Sequence, residues 1–186
     1  QAVEVVVPPL LEQERIVETL EEQLTRLDTA LQSVHTVREK AAQFRRSLLH
    51  AAFTGALTGH EVEEGELPDG WEPSTLGQIA KWGSGGTPRS GVASYYGGNI
   101  PWAVIGDLTE AIVLTTEKSI TEAGLAASSA KLIEPGTVMI AMYGASIGRT
   151  GVTGREMATN QAIAFARIND KIVGRDFLLK YLQFQK

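Results

Sequence analysis

The sequence predicts an α+β protein: a long coiled-coil-forming helix followed by a mixed or antiparallel β-rich domain with short helices. Three observations carry this expectation. Residues 9–58 place apolar side chains at heptad spacing, residues 71–186 alternate short β-type runs with Gly-, Ser- and Thr-rich turns, and a highly charged stretch lies between them.

Taken in chain order, residues 1–8 contain Val3-Glu4-Val5-Val6-Val7, which reads as a strand, the last one of something upstream. Pro8 and Pro9 block backward extension of a helix and are tolerated at its start. The seam that follows is Val17, Leu20, Leu24, Leu27, Leu31 and Val34, spaced as the a and d positions of a coiled coil. It continues through Val37, Ala41, Phe44, Leu48 and Ala51, and the extra step of three after Val34 is a stammer that overwinds the supercoil locally. Glu12, Glu14 and Glu18 near the start and Arg45 and Arg46 toward the end suit the helix dipole, and Gly55 and Gly59 supply stop signals. At 1.5 Å per residue such an arm is about 65 Å long, and its narrow apolar stripe calls for another helix. Residues 59–70 read as a linker, with Glu61-Val62-Glu63-Glu64-Gly65-Glu66 too charged to pack.

The domain over 71–186 is expected to hold strands at Leu76–Trp82, Ile100–Ile105, Ala111–Thr115, Thr137–Met142 and Ala162–Ile168. Turns are expected at 83–86, 97–99, 134–136 and 151–154, though the stretch after Gly148 also admits a strand. Short helices are expected at Glu122–Ala127 and Asp176–Gln185.

The absence of cysteine excludes disulfides and thiolate metal sites, and the three histidines are scattered, so neither a metal nor a cofactor is expected. No apolar run is long enough to span a bilayer, and a cytoplasmic location is expected. The net charge of −5 is unevenly placed. Residues 1–65 hold 6 Lys/Arg and 11 Asp/Glu, whereas residues 66–186 hold 11 of each. The second domain is therefore not repelled from phosphate overall, and nucleic-acid affinity would come from a local patch.

Gly83-Ser84-Gly85-Gly86-Thr87-Pro88-Arg89-Ser90 has glycines for close backbone approach, hydroxyls for phosphate and an arginine able to read guanine. It lacks the Gly-Lys-Ser/Thr ending of a nucleoside triphosphate loop. Gly144-Ala145-Ser146-Ile147-Gly148 matches the nucleophile-elbow pattern, but no histidine follows Ser146, so a tight hairpin presenting Tyr143, Ser146 and Arg149 is the better reading. Trp71, Trp82 and Trp102 sit in or beside strand-like runs and read as anchors. Asn160 and Gln161 either pair with adenine or satisfy a turn. The chain carries no Asn/Asp-Pro-Pro-Tyr/Phe methyltransferase run.

In order and spacing, these segments resemble the specificity subunit of type I restriction-modification systems. The resemblance rests on residues 8–17, 48–58, 67–71, Ser84-Gly85-Gly86-Thr87-Pro88, Tyr95-Tyr96-Gly97-Gly98-Asn99-Ile100-Pro101-Trp102, 128–132, 135–138, 144–148 and Ala158-Thr159-Asn160-Gln161. It implies a non-catalytic DNA-recognition subunit in which long spacer helices pair antiparallel and set the distance between two recognition domains. It also implies a bipartite double-stranded DNA target. The partners it implies are methyltransferase subunits, restriction/translocase subunits and a second spacer helix of the same or another chain. On this resemblance, Ser84, Thr87, Arg89, Ser90, Tyr143, Ser146, Arg149, Arg155, Asn160 and Gln161 face DNA. Residues 1–8 then correspond to the terminal strand of a preceding recognition domain, residues 9–58 to one spacer helix, and residues 71–186 to one recognition domain expected to be incomplete at its C-terminus, as in an internal fragment. A coiled-coil adaptor with a small β-rich protein- or peptide-binding domain is the alternative reading.

Overall fold

In the computed structural model, residues 3–60 and 65–186 are described, and the chain divides into one unit ending at Leu48 and a second running from Leu49 to Lys186. The strand expected over 3–7 is not formed: residues 3–9 carry no regular secondary structure, and Val3, Val5, Val6 and Val7 are exposed. Most of the charged stretch at 61–66 lies outside the described residues.

The first unit consists chiefly of helix α1 (Leu10–Phe53). Its first turn is capped by backbone bonds from Glu12 and Gln13 to the Pro9 carbonyl, and Gln13 Nε2 donates to the Pro8 carbonyl at 2.7 Å. Thr29, Ser33, Thr36 and Ser47 return their hydroxyls to the carbonyl four residues back, which satisfies these poor helix formers locally. Over 44 residues the helix is about 66 Å long. The predicted seam is present as a stripe, and from Val17 to Leu48 its large apolar side chains are between 40% and 65% exposed. The stripe thus lies largely in water along the described helix.

In the second unit the end of α1 is anchored aromatically. The Phe53 ring lies 5.2 Å from Phe177, 5.4 Å from Tyr181 and 5.3 Å from Phe184. Gly55 (φ 86°) then turns the chain in a conformation that side chains resist, and it packs under buried Pro68. Part of the expected linker is therefore packed.

Among the described residues nine strands form two mixed sheets. The first has five strands: β1 (Ala80–Ser84), β3 (Ile112–Val113), β6 (Val138–Ala141), β7 (Thr150–Thr153) and β9 (Ile163–Ile168), in the order β1-β9-β6-β7-β3. The second has β2 (Tyr96–Ala103), β4 (Ser119–Ile120), β5 (Leu132–Ile133) and β8 (Met157–Thr159), in the order β4-β2-β8-β5. The pairs β2–β8 and β3–β7 are parallel and the others antiparallel. Between the sheets lies a core of Ala103, Leu108, Ile133, Met139, Met157, Ile163 and Phe165. The outer face of the five-stranded sheet is covered by α4 (Arg175–Phe184) through Leu178, Leu179 and Leu182. That of the other sheet gathers Ile100, Trp102, Ile120 and Ala130, with Leu125 of α3 (Glu122–Ala126) against them.

Three local expectations are corrected. Leu76–Ile79 is a turn of helix, α2, because Thr75 and Gln78 form a reciprocal capping box; the strand starts only at Ala80. The 151–154 turn is instead largely strand β7, in which Gly151 leaves room for Leu108 and Val113. The 97–99 turn is instead the irregular first part of strand β2, whose register shifts between Tyr96 and Ile100. The structure thus bears out the α+β class and the long helix, with strand boundaries redrawn by side-chain capping and tight packing.

Leu178 is fully buried between α4 and the sheet. Leu178→Ala is expected to cost the second unit about 2–5 kcal/mol, read by urea denaturation followed through tryptophan fluorescence.

Candidate nucleic-acid interface

Strand direction brings the candidate loops together. β1 and β6 both run antiparallel to β9, with Ser84 opposite Ala164 and Ala141 opposite Ile163, while Thr150 of β7 faces Ile140. The loop after β1, the 142–149 connection between β6 and β7, and the 160–162 turn before β9 therefore emerge at one end of the five-stranded sheet. Nine of the ten candidate residues belong to these three segments. Arg155 does not: it follows β7 at the opposite end, where Gly136 N–H donates to the Thr153 carbonyl.

Within this cluster, some side chains hold the loops together and others are available. Gly85 N–H donates to the Ile163 carbonyl at 3.3 Å and Gly86 N–H to the Thr159 carbonyl at 2.9 Å. A Cβ on Gly85 would strike the backbone of Thr159 and Asn160, and one on Gly86 the backbone of Ser129 and Ala130. These glycines thus serve close approach of the chain to itself, beside any role toward a ligand. The Thr87 hydroxyl donates to Gln161 Oε1, joining the first loop to the last. Asn160 Oδ1 accepts from Ala162 N–H at 3.1 Å, the turn-satisfying alternative of its two readings. Trp102 is buried, and its Nε1–H donates to the Gly86 carbonyl at 3.0 Å, as expected of an anchor; Trp82 is half-buried on the Leu76 carbonyl.

Thr87 and Gln161 are exposed but bonded to each other, and the exposed members without a side-chain hydrogen bond among the described residues are Ser84, Arg89, Ser90, Tyr143 and Arg149. Neither Arg89 nor Arg149 makes an ion pair among the described residues, so both guanidinium forks are free for a phosphate or a guanine edge. Ser90 stands on the rim of an open cleft of about 510 Å³ lined also by Tyr96, Trp102, Glu117 and Lys118. The 142–149 connection is pinned by Gly144 (φ 83°) and Gly148 (φ 79°) and by Gly148 N–H to the Ala141 carbonyl at 3.0 Å. It presents Tyr143 and also Ile147, which is 61% exposed. Ile147 is not among the sequence candidates, although an isoleucine inside a five-residue glycine turn was a legible signal.

The hydrolase reading does not survive this geometry. Strand β7, rather than a helix, follows Ser146, which is half-buried with its carbonyl accepting from Arg149 N–H. His35 lies on α1 beside Glu39, His50 packs on Phe184 and His60 on Trp71. Among the described residues no group of three metal-ligating side chains converges. The Arg175 guanidinium and the Asp176 carboxylate, hydrogen-bonded to each other at the exposed start of α4, are shifted up and down respectively by that bond and their opposite charges.

Residues 68–186 match the model of the type I restriction modification DNA specificity domain, well over half of the chain. The chain belongs to this family. Its relatives include the specificity subunit of the type I restriction enzyme MjaIX from Methanocaldococcus jannaschii, 30% identical over 104 residues, which are 54% of this chain and 24% of that protein. The EcoR124I/EcoR124II specificity subunit from Escherichia coli is 38% identical over 79 residues, covering 42% of this chain and 19% of that protein. Among solved structures, a chain from a type I restriction-modification system described for complex assembly and conformational transition superposes with a TM-score of 0.63 at 25% identity, over 96% of this chain and 42% of that one. The HsdS subunit from Thermoanaerobacter tengcongensis shares the fold, with a TM-score of 0.54 at 23% identity over the same shares. The chain spans under half the length of these specificity-domain relatives, and the structural matches include the long helix as well as the domain.

Two substitutions separate the packing described above from surface chemistry. Gly85→Ala is expected to destabilise the second unit by about 1–3 kcal/mol or more, because backbone rather than a flexible side chain must yield. Thr159→Val is expected to be neutral or stabilising in the same denaturation experiment. Its hydroxyl is fully buried without a hydrogen-bond partner among the described residues, so nothing is lost with it.

Proposed function

We propose that this chain is the sequence-recognition part of a non-catalytic specificity subunit in a type I restriction-modification complex. One observation carries the reading: in a chain of the DNA specificity domain family, three loops bearing free arginines, hydroxyls and a tyrosine converge at one end of a rigid sheet. Arg89 and Arg149 have the fork geometry that reads guanine or clamps phosphate, while Ser84, Ser90 and Tyr143 supply shorter polar contacts. Thr87, Gln161 and Asn160 support these loops; Gln161 retains its amide N–H donors for a base edge while its oxygen accepts from Thr87. Ser146 belongs to the cluster but is half-buried in its turn, whereas Arg155, at the opposite end of the sheet, contacts DNA in this reading only where the duplex extends past the cluster.

The exposed seam of α1 is the surface for a second spacer helix, of the same or another chain, and its length sets the separation between two half-sites. Methyltransferase subunits, and through the assembled complex the restriction/translocase subunits, are the proposed protein partners. The relatives named as specificity subunits and the structure describing complex assembly support this reading.

The methylated bases of the source genome, mapped by single-molecule sequencing with and without the parent gene, test the reading. Loss of one bipartite methylated motif on deletion is the expected outcome; a methylome unchanged by deletion in a host with active methyltransferase subunits would move the assignment to a protein-binding adaptor. At the residue level, Arg89→Ala in the assembled complex is expected to weaken binding of the cognate duplex by about 1–3 kcal/mol if the guanidinium reads a base. A uniform loss on all sequences, with a smaller salt dependence, would make Arg89 a phosphate contact instead.

A further inference from the structure

Strand pairing creates a cationic site that the candidate loops do not contain. In the β1–β9 ladder Lys81 stands directly opposite Arg167. Directly opposed residues of an antiparallel pair project to the same face with Cβ atoms about 5 Å apart, and like charges in that relation repel. Both side chains are exposed, and neither makes an ion pair or side-chain hydrogen bond among the described residues. Sheets ordinarily place an opposite or neutral residue at such a position. Here two cations are held together, with no carboxylate paired to either among the described residues.

Their place in the sheet gives the pair a use. Two residues on along the same face, Gly83 opposes Phe165, whose ring fills the space a Cβ on Gly83 would take and is itself buried in the core between the sheets. The cover provided by the second sheet reaches Phe165 and stops short of Arg167, which is exposed. From Lys81 to Ser84, where the first candidate loop begins, the strand advances about 10 Å. The cationic pair therefore lies on rigid, paired backbone roughly a strand's half-length behind the loop cluster.

Resting on the DNA-recognition reading, we propose that Lys81 and Arg167 together form a phosphodiester clamp that grips one backbone phosphate of the duplex outside the base-reading loops. A single phosphate between them neutralises the repulsion that the free protein bears, and Arg167 adds a bidentate fork to the point charge of Lys81. Both side chains sit on the ladder rather than on a loop, so the contact fixes register and orientation and carries no base preference.

Lys81→Gln, Arg167→Gln and the double variant, each in the complex purified through a tag on this chain, test the clamp by equilibrium binding to cognate and unrelated duplexes over a range of KCl concentrations. The slope of log K against log salt is expected to shrink by about one in the double variant, and by no more than that because one phosphate is shared. The ratio of cognate to unrelated affinity is expected to stay unchanged, and Lys81→Arg to keep the wild-type slope. Melting temperature without DNA should hold or rise in the Gln variants, since a repulsion is removed. A double variant with the wild-type slope, a collapsed cognate preference, or a melting temperature that falls together with affinity overturns the clamp while leaving the recognition reading intact. A wild-type complex that shows no cognate preference at all overturns both.

Discussion

The arrangement depends most on the close passage of the Gly85-Gly86 backbone between two other segments. Gly86 donates to the Thr159 carbonyl, its own carbonyl accepts from Trp102, and the space a side chain would need is already taken by residues 129–130 and 159–160. This crossing ties the exit of β1 in the first sheet to β2 and β8 in the second. Without it the β1 loop and the 160–162 turn would be independent surface segments. With it, they share a hydrogen bond between Thr87 and Gln161 and leave the sheets at a fixed separation. A recognition surface made of loops is only as accurate as the elements that hold their ends, and here those ends are closed by backbone contact that tolerates almost no added volume.

The two units solve opposite problems with the same kind of residue. In the second unit Leu108, Ile120, Ile133, Met139 and Leu178 disappear into three cores. In α1, leucines at heptad spacing remain largely in water although the helix backbone is fully formed. Propensity and local back-bonding suffice to draw such a helix, but burial is what holds one of this length in place, and the described chain does not supply it. The acidic excess lies in residues 1–65, whereas residues 66–186 balance cations and anions overall.

What was legible in the sequence followed from periodic signals. The heptads placed α1 to within a few residues, and apolar runs bounded by turn residues located β6 and β9. The elements that were missed are short or disguised. β4 and β5 have two residues each, too few for any period, and β8 hides its three buried positions in Met-Ala-Thr ahead of two amides. The sequence of α2 reads as strand because its apolar residues alternate acceptably, and the Thr75–Gln78 box that decides the matter is a local side-chain bond rather than a pattern. Among the candidate residues, the sequence identified the right loops but could not divide supporting from available side chains. Thr87 and Gln161 look equally free until a pairing across 74 residues is known.

The same limit explains why net charge misleads for this chain. Residues 66–186 balance eleven cations with eleven anions, and a composition argument stops at zero. Binding depends on where charges are left uncompensated, and strand register decides that. Lys81 and Arg167 are separated by 86 positions in sequence and are direct neighbours in the ladder, whereas Arg175 and Asp176 are adjacent and cancel. The neutral domain thus contains one pair of cations forced together and another cation tied to its own carboxylate. Under the DNA-recognition reading proposed above, fixed cations of this kind make affinity respond to salt at a few contacts without a basic surface that would retain every sequence equally.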